Sequence, residues 1–299
     1  MKNSKSLFCL LGLILPFVLS NAFAGDAALK FTYALVNIPG STQTNPNGIS
    51  NTGVVVGTYY TVFEGQLLSH AYVQKGTKLA HLDDPKAALG GTTPNNLNPD
   101  EPVSIVGSYV PKNDEGVVGF LYKNGTYTDI SGPSGALASV ANAINDSGNI
   151  VGAYIDSQGS GHGFVLKNSV YTTLDVPGAI STIARGINKS GDIVLNWVDA
   201  NGNYNASLFD GTTYNTINVP NAVSSQAMGI SASGDVCYEW TDAIGVYHGA
   251  LLHAGVYSYF DVPTHGGTWA YGMNDIGNIV GNGTYHSTVF GFKATYGTH

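Results

Sequence analysis

The stretch FTYALVNIPGS at residues 31–41 has the form of the last segment of a repeat, although no earlier segment of that repeat precedes it. Three later stretches share its pattern of aromatic and apolar residues followed by proline: YTTLDVPGA at 171–179, TYNTINVPN at 213–221 and YSYFDVPTH at 257–265. Each later stretch closes a longer unit. The first stretch therefore predicts a chain whose N-terminal segment completes a unit that lies elsewhere in the sequence.

A second pattern, Gly-Ile-Asn-x-x-Gly-x-Ile-Val, gives the number of units. Its copies are GISNTGVVV at 48, AINDSGNIV at 143, GINKSGDIV at 186, GISASGDVC at 229 and GMNDIGNIV at 272, with a degenerate copy, NLNPDEPVSIV, at 96. The central apolar residues, from Ile49 to Met273, follow one another at spacings of 48, 47, 43, 43 and 43 residues. A period of this length is typical of a repeat architecture, and we predict six units.

Each unit contains four runs with strand composition, separated by turn residues. Runs such as NIVGAYID at 149–156 have apolar residues on both faces, which indicates sheets covered on both sides. Six such antiparallel sheets are typical of a β-propeller, whereas a solenoid would need polar capping repeats. We therefore predict an all-β fold, a six-bladed β-propeller of four-stranded antiparallel blades over residues 25–299. The N-terminal strand closes the ring and removes its open sheet edges.

The first 24 residues have the features of a secretory signal peptide: two lysines, an apolar run and a small-x-small cleavage signal ending at Ala24. We expect their removal and an exported protein, extracellular or periplasmic, with no membrane insertion afterwards. Without residues 1–24 the chain has 10 basic and 20 acidic residues, a net charge near −10. This charge argues against binding to nucleic acid or to an anionic membrane surface. We expect a monomer.

Cysteine, metal and cofactor chemistry find little support in the sequence. Cys237 would be the only cysteine left, so we expect a buried strand residue and no internal disulfide. The loops that begin at Asp156, Asp199 and Asp242 lack the further carboxylates of an EF-type calcium loop and predict β-turns instead. No two histidines have a spacing typical of zinc ligands on a helix or hairpin. We predict no metal and no cofactor.

An enzymatic function stays open as an alternative. The stretch THGGTWAY at 264–271 resembles the Asp-box of sialidases but lacks its defining aspartate. A carbohydrate-active hydrolase or lyase could use carboxylates on one face of the ring. The candidates are Asp83, Asp84, Glu101, Asp114 and Glu239. No nucleophile elbow or phosphate loop is present, so we assign no catalytic residue.

The third strand of the units carries a further motif. It reads SHAYV at 69–73, VGFLY at 118–122, HGFVL at 162–166, HGALL at 248–252 and FGFKA at 290–294. Together with Gly-Ile-Asn-x-x-Gly-x-Ile-Val, it resembles the HAF repeats, a family of bacterial repeat proteins named for a His-Ala-Phe triplet. The resemblance implies export and a propeller-like fold, and it implies no reaction or catalytic residue. Asn205 replaces the histidine in the fourth unit, Val118 in the second and Val289 or Phe290 in the sixth, so we predict a structural role for it.

Composition favours binding over catalysis. The chain has 18 tyrosines and only 11% charged residues, which gives aromatic surfaces among neutral hydrogen-bonding groups. We predict a non-enzymatic binding or interaction protein whose ligand is an extracellular carbohydrate or an envelope-associated partner. A structural or adhesive surface protein is a further alternative.

Alignment of the six units on the Ile49 position separates residues that repeat from residues that vary. Five residues upstream every unit has a hydroxyl, which indicates packing near a crowded axis: Thr44, Thr92, Ser139, Thr182, Ser225 and Thr268. The residues four upstream vary, and they are Asn45, Thr93, Val140, Ile183, Gln226 and Trp269. The residues two upstream vary as well, and they are Asn47, Asn95, Asn142, Arg185, Met228 and Tyr271.

The two varying positions should share one face of the strand, because alternate residues of a strand point to the same side. A symmetric scaffold needs such variation to recognise an asymmetric ligand. We therefore predict a ligand site that contains the one basic residue, two aromatic rings and three amides: Arg185, Trp269, Tyr271, Asn95, Asn142 and Gln226. The alternative is that these residues only fill blade interfaces of differing width.

Overall fold

A computed structural model describes residues 29–113, 116–264, 266–286 and 288–297. These residues form 24 β-strands in six four-stranded antiparallel sheets. Among them there is no helix long and apolar enough to cross a membrane. The predicted six-bladed β-propeller is thereby confirmed. The predicted signal peptide, residues 1–24, lies outside the described residues, and its removal stays a prediction.

The first three blades follow one another along the chain, and each runs outward from the ring axis. Their strands are, in blade 1, β2 (Gln43–Ile49), β3 (Val54–Phe63), β4 (Gln66–Lys75) and β5 (Lys78–His81); in blade 2, β6 (Ala87–Leu97), β7 (Ile105–Pro111), β8 (Val118–Lys123) and β9 (Thr126–Ile130); in blade 3, β10 (Ala138–Ile144), β11 (Ile150–Ile155), β12 (Gly161–Lys167) and β13 (Val170–Leu174).

Blades 4 to 6 repeat this order, except that blade 6 takes its outer strand from the N-terminal part of the chain. Their strands are, in blade 4, β14 (Ser181–Ile187), β15 (Ile193–Val198), β16 (Tyr204–Phe209) and β17 (Tyr214–Thr216); in blade 5, β18 (Ser224–Ile230), β19 (Val236–Thr241), β20 (Tyr247–His253) and β21 (Val256–Phe260); in blade 6, β22 (Thr268–Met273), β23 (Asn278–Tyr285), β24 (Thr288–Gly297) and β1 (Lys30–Val36).

The N-terminal strand closes the ring as predicted. β1 pairs antiparallel with β24, so that Phe31 lies opposite Tyr296 and Leu35 opposite Phe292. The first strands of neighbouring blades contact one another all the way round, including β22 with β2. These six strands therefore surround the axis of the ring, and the chain begins in the blade where it ends.

In the core of each blade, a large side chain on one of the two middle strands lies opposite a small residue on the other. In blade 3, Gly152 on β11 lies opposite Phe164 on β12. A Cβ atom on Gly152 would lie 2.0 Å from the Val140 carbonyl oxygen and 2.8 Å from the Phe164 ring. Blades 4 and 5 reverse the arrangement, with Leu195 opposite Ser207 and Tyr238 opposite Ala250. Both arrangements fill the same space, as close packing requires.

The hydroxyl residues five upstream of the central apolar position are buried in every blade. In five blades the hydroxyl oxygen accepts a hydrogen bond from a backbone N–H at the end of the preceding blade, for example Val176 N to Thr182 Oγ1 at 3.2 Å. Ser139 instead accepts from Gly119 N and donates to Ile130 O. The uniformity seen in the sequence therefore has a specific cause, because a buried backbone donor must be satisfied.

Every first strand contains a β-bulge at the same place. The register with the second strand shifts between the residues three and one upstream of the central apolar position. The residues that have no cross-strand partner are Asn47, Asn95, Asn142, Arg185, Met228 and Tyr271. A bulge redirects a side chain and is frequent next to functional sites. Here it occurs six times around one axis.

Cys237 lies on β19 and is fully buried, as predicted. Burial raises the pKa of its thiol to about 12, so the thiolate is not formed at neutral pH. Cys237 therefore acts as a small core residue in blade 5.

Candidate functional site

The six bulge residues converge on the ring axis. Together with Asn96 they line a cavity of about 120 Å³, to which each blade contributes a side chain: Asn47, Asn95, Asn142, Arg185, Met228 and Tyr271. A cavity of about 150 Å³ holds a benzene molecule. The axial cavity can therefore accept one small chemical group or one end of a larger ligand, but not an extended chain.

Four of the six predicted site residues line this cavity, namely Asn95, Asn142, Arg185 and Tyr271. The other two, Gln226 and Trp269, lie elsewhere. Gln226 is paired opposite Glu239 on the neighbouring strand, and the Trp269 ring lies 5.2 Å from the Tyr247 ring. Strand alternation predicted that the residues four and two positions upstream of the central apolar residue share one face. The bulge directs only the residues two positions upstream to the axis.

Asn96 was missed because its position is occupied by a small residue in the other five units. Those residues are Gly48, Ala143, Gly186, Gly229 and Gly272. An amide in place of glycine or alanine was therefore a signal present in the sequence. Asn96 stands where the second unit also departs from the repeat motif, so the degenerate unit contributes two residues to the cavity.

The asparagines of blades 1 to 3 use their amide groups to join neighbouring blades. Asn47 Nδ2 donates to Pro94 O at 2.8 Å, Asn95 Nδ2 to Ala141 O at 3.0 Å, and Asn142 Nδ2 to Ala184 O at 2.9 Å. Each bond runs to the first strand of the next blade. The side-chain oxygens stay available as acceptors, so this side of the cavity can accept hydrogen bonds from hydroxyl groups.

Arg185 occupies the same bulge in blade 4 and is chemically the opposite. Its Nε atom is buried and has no hydrogen-bond partner, and within the described residues no hydrogen bond or ion pair reaches its guanidinium group. Burial lowers the pKa of this group while the charge of Glu239 raises it, and arginine stays protonated at neutral pH. The cavity wall therefore contains a cation with unused donors, an arrangement that costs free energy unless a ligand satisfies it.

Glu239 does not line the cavity, but its charge acts on this cation. It lies on β19 of blade 5 and is 9% exposed. Burial raises the pKa of its carboxyl group to about 7, although the charge of Arg185 lowers it. Burial also raises the pKa of Tyr271, and the charge of Glu239 raises it further. One side of the axis thus combines a cation, a titrating carboxyl group and a phenol.

The remaining carboxylate candidates do not join this group. Asp83, Asp84 and Glu101 do not line the cavity, and Asp114 lies outside the described residues. Glu101 instead forms an exposed ion pair with Lys75 at 2.9 Å. Among the candidates that the structure describes, Glu239 alone acts on the charge of a cavity residue, whereas glycoside hydrolysis ordinarily uses a pair of carboxyl groups.

The third-strand histidines of blades 3 and 5 tie the outer strands together. His162 lies between Asp156 and Asp175, at 3.2 and 2.9 Å. His248 lies in the same way between Asp242 and Asp261, at 3.3 and 2.9 Å. Burial opposes the charge on both imidazoles, but the hydrogen bonds and charges of the carboxylates outweigh it and raise the pKa of both. The histidines are thus structural links, as predicted.

Blade 4 uses a neutral version of the same link. Asn205 replaces the histidine and accepts a hydrogen bond at 2.7 Å from Asn218, which replaces the aspartate. The loop aspartates also have the predicted turn role. Asp156 Oδ1, for example, accepts from the backbone N–H groups of Gln158 and Ser160. These loops are Asp-initiated turns.

The statement that no two histidines have a zinc-ligand spacing is wrong. His70, His81 and Asp83 place their donor atoms within 4.8 Å of one another. The β4–β5 hairpin pairs Lys75 with Lys78 and Tyr72 with His81, and just beyond the paired residues Asp83 Oδ1 accepts a hydrogen bond from the backbone N–H of Ala71. Adjacent strands therefore bring together residues that are 11 and 13 positions apart.

The sequence matches no family model and no curated protein, so the resemblance to HAF repeats stays a prediction. Solved structures do share the fold. A Hadza microbial sialidase aligns with a TM-score of 0.53 and 11% identity over 85% of this chain and 65% of its own. A mutant of AofleA from Arthrobotrys oligospora aligns at 0.51 and 13% over 87% and 86%. The β-propeller domain of the Trilobed protease from Pyrococcus furiosus aligns at 0.53 and 11% over 93% of both chains.

At these identities the neighbours show the fold alone. They place the chain among the β-propellers, in agreement with its six sheets. The chain spans less than two thirds of the sialidase, so nothing of that enzyme's activity follows from the alignment. Function has to be argued from the axial cavity itself.

Proposed function

We propose that this protein is an exported, non-enzymatic binding protein that holds the end of an extracellular carbohydrate in its axial cavity. The observation that carries the proposal is Arg185, a cation with a buried, unpartnered Nε atom in a cavity whose walls differ from blade to blade. Arg185 is half-buried as a whole, but its Nε atom is fully buried, and a buried donor costs free energy until an acceptor reaches it. The preferred ligand is therefore a sugar unit that bears a carboxylate.

The other walls of the cavity suit the groups of such a unit that lie next to its carboxylate. The side-chain oxygens of Asn95 and Asn142 can accept hydrogen bonds from sugar hydroxyls, since their nitrogens are already engaged. Tyr271 and Met228 supply apolar area against carbon-bound hydrogens of the ring. A carboxylate on the ligand would form charge-assisted hydrogen bonds with Arg185, which are stronger than neutral ones.

A glycan array that includes matched acidic and neutral terminal sugars tests this proposal, followed by calorimetry on the best ligand. We expect preference for the acidic series and loss of affinity of about tenfold or more in Arg185→Ala, the scale of a hydrogen bond to a charged group. Gln226→Ala is the matched control, because Gln226 lies on a first strand but outside the cavity lining. Unchanged affinity in Arg185→Ala would contradict the proposal.

A second candidate function rests on Glu239. A carboxyl group with a pKa of about 7 suits general acid catalysis, so a carbohydrate-active enzyme is the alternative. Release of reducing sugar from the array hits, abolished in Glu239→Gln, would support the enzyme. Binding without release would support the binding protein. Neither binding nor release would favour a structural or adhesive role.

Export is part of the proposal and is supported by the predicted signal peptide at residues 1–24. Expression of the full chain in a bacterial host, followed by N-terminal sequencing of the periplasmic and secreted fractions, tests it. We expect a mature N-terminus at Gly25. Recovery of the intact N-terminus from the cytoplasm alone would contradict export.

A further inference from the structure

Blade 1 departs from blades 3 and 5 at the outer histidine link. His70 occupies the position of His162 and His248, one residue before the small residue that faces the core. In blades 3 and 5 the ring nitrogens contact two carboxylates. His70 Nε2 instead lies 3.0 Å from the Thr61 hydroxyl oxygen, and no hydrogen bond or ion pair in the described part of the chain joins His70 to Asp83. The carboxylate link is therefore open in this blade.

A second imidazole stands beside the opened link. His81 lies on β5. The equivalent residues of blades 3 and 5, Thr173 and Tyr259, have no imidazole. The donor atoms of His70, His81 and Asp83 all lie within 4.8 Å of one another. Blade 1 thus combines two imidazoles and a carboxylate where the other histidine-bearing blades have one imidazole and two carboxylates.

Each of the three side chains has its second polar atom held by a neighbour. His70 Nε2 lies 3.0 Å from Thr61 Oγ1, and His81 Nδ1 lies 3.3 Å from the Tyr59 hydroxyl. Asp83 Oδ1 accepts from the backbone N–H of Ala71 at 3.0 Å. One nitrogen of each ring and one carboxylate oxygen remain. Ligands of metal ions are typically oriented by outer hydrogen bonds of this kind.

We propose that His70, His81 and Asp83 form a binding site for a divalent transition-metal ion of the Zn²⁺ class. Two imidazoles and a carboxylate are typical zinc donors, whereas Ca²⁺ and Mg²⁺ prefer oxygen ligands alone. Ligand atoms of a tetrahedral zinc ion lie about 3.3 Å apart, so the donors must approach one another slightly. His81 and Asp83 are exposed and can rotate to do so.

The site would join three consecutive elements of blade 1. His70 belongs to β4, His81 ends β5, and Asp83 lies in the connection to β6. The Tyr59 ring stacks on His70 with centroids 4.9 Å apart and limits the movement of that imidazole. Three protein ligands leave a coordination position for water or for an oxygen atom of another molecule. Metal that binds only the folded chain raises its stability by mass action.

The test uses the full chain without an affinity tag, titrated with Zn²⁺ by calorimetry and with Co²⁺ by visible absorption. We expect one ion per chain, a rise in melting temperature on adding Zn²⁺, and reversal by a chelator. His81→Thr introduces the residue of blade 3, and Asp83→Asn removes the charge. Each should weaken Zn²⁺ affinity by about tenfold or more, because one of three ligands is lost.

The matched control is His248→Asn, which alters the equivalent position of blade 5 and should leave Zn²⁺ affinity within about twofold. His70→Asn, the residue of blade 4, is a second site variant should His81→Thr fail to fold, as judged by circular dichroism. Lack of Zn²⁺ binding by the folded parent chain would overturn the proposal. So would equal affinity in folded His81→Thr, Asp83→Asn or His70→Asn, or loss of binding in His248→Asn alone.

Discussion

The two halves of the axial ring have the same backbone and different chemistry. In blades 1 to 3 the bulge carries asparagine, and each amide donates to a backbone carbonyl of the next blade. In blades 4 to 6 the same bulge carries Arg185, Met228 and Tyr271, and within the described residues none of them forms such a bond. The bulge therefore only directs a side chain to the axis. Whether that side chain serves the scaffold or the cavity depends on its chemistry.

The difference has an energetic side. The asparagine half satisfies its amide nitrogens internally, which neutral hydrogen bonds do at little net cost. The other half holds a cation whose Nε atom is buried without a partner, and a carboxyl group whose pKa burial raises to about 7. Unpaired buried charge is destabilising, and functional sites are where proteins tolerate it. The first half thus stabilises the ring and the second half supplies the chemistry.

The largest expected effect comes from removing β1, the strand that closes the ring around both halves. Deletion of residues 29–41 takes away β1, leaves the outer edge of β24 unpaired and exposes the core around Phe31. Loss of a core element should cost several kcal/mol, roughly 3–5 or more, and lower the midpoint of urea unfolding accordingly. Deletion of residues 1–24 alone is the control. A midpoint equal to that of this control would show that the ring does not need its closing strand.

Glu239→Gln sharpens the comparison by removing the titrating group from the cavity half. The folded pKa of about 7 lies above the unfolded value of 4.5, so the folded state holds the proton more tightly. Wild-type stability should therefore fall as pH rises through this window, by up to about 3 kcal/mol, and Glu239→Gln should not show that loss. Urea unfolding of both proteins between about pH 4 and pH 8 measures it. A constant difference between them across this range would contradict the assignment.

Much of the fold was readable because repetition is visible in a single sequence. The recurrence of the Ile49 motif and of the closing proline gave six blades, and the unmatched stretch at 31–41 gave the closure. Local patterns of this kind are short-range properties of the chain. The sequence did not reveal that blade 3 pairs Gly152 with Phe164 whereas blade 4 pairs Leu195 with Ser207, because this reversal depends on cross-strand pairs.

Prediction of the site was partial for a related reason. Sequence alignment of the units identified the varying positions, but strand alternation could not show that a bulge selects Tyr271 and excludes Trp269. The use of Asn95 and Asn142 as links also depends on the distance to the next blade. The histidine cluster of blade 1 was accessible in principle, since a hairpin turn after Lys75 pairs His81 with Tyr72, two residues from His70.

Asn142→Ala and Arg185→Ala compare the two halves at adjacent blades. Asn142→Ala leaves the buried Ala184 carbonyl without its 2.9 Å hydrogen bond and should cost about 1–2 kcal/mol. Arg185→Ala removes a cation that has no partner, so stability should change by less than about 0.5 kcal/mol or increase. Urea unfolding at about pH 6, where Glu239 is largely protonated, measures both. Greater destabilisation by Arg185→Ala would place that residue in the scaffold.

The smallest effect tests whether the difference between the halves is confined to the axis. His162 in blade 3 and His248 in blade 5 have the same carboxylate partners and the same raised pKa, although their blades belong to different halves. A raised pKa means that their contribution is complete below about pH 6.5 and is lost as pH rises through the folded value. His162→Asn and His248→Asn should therefore each cost less than about 1 kcal/mol near pH 5.5 and still less near pH 9, because the links are partly exposed. Asparagine is the appropriate replacement, since blade 4 already uses Asn205 at this position.

Paired unfolding curves at the two pH values should give matching losses of unfolding free energy for the two variants. A clearly larger loss in one of them would mean that the difference between the two halves of the axial ring extends to the outer strands.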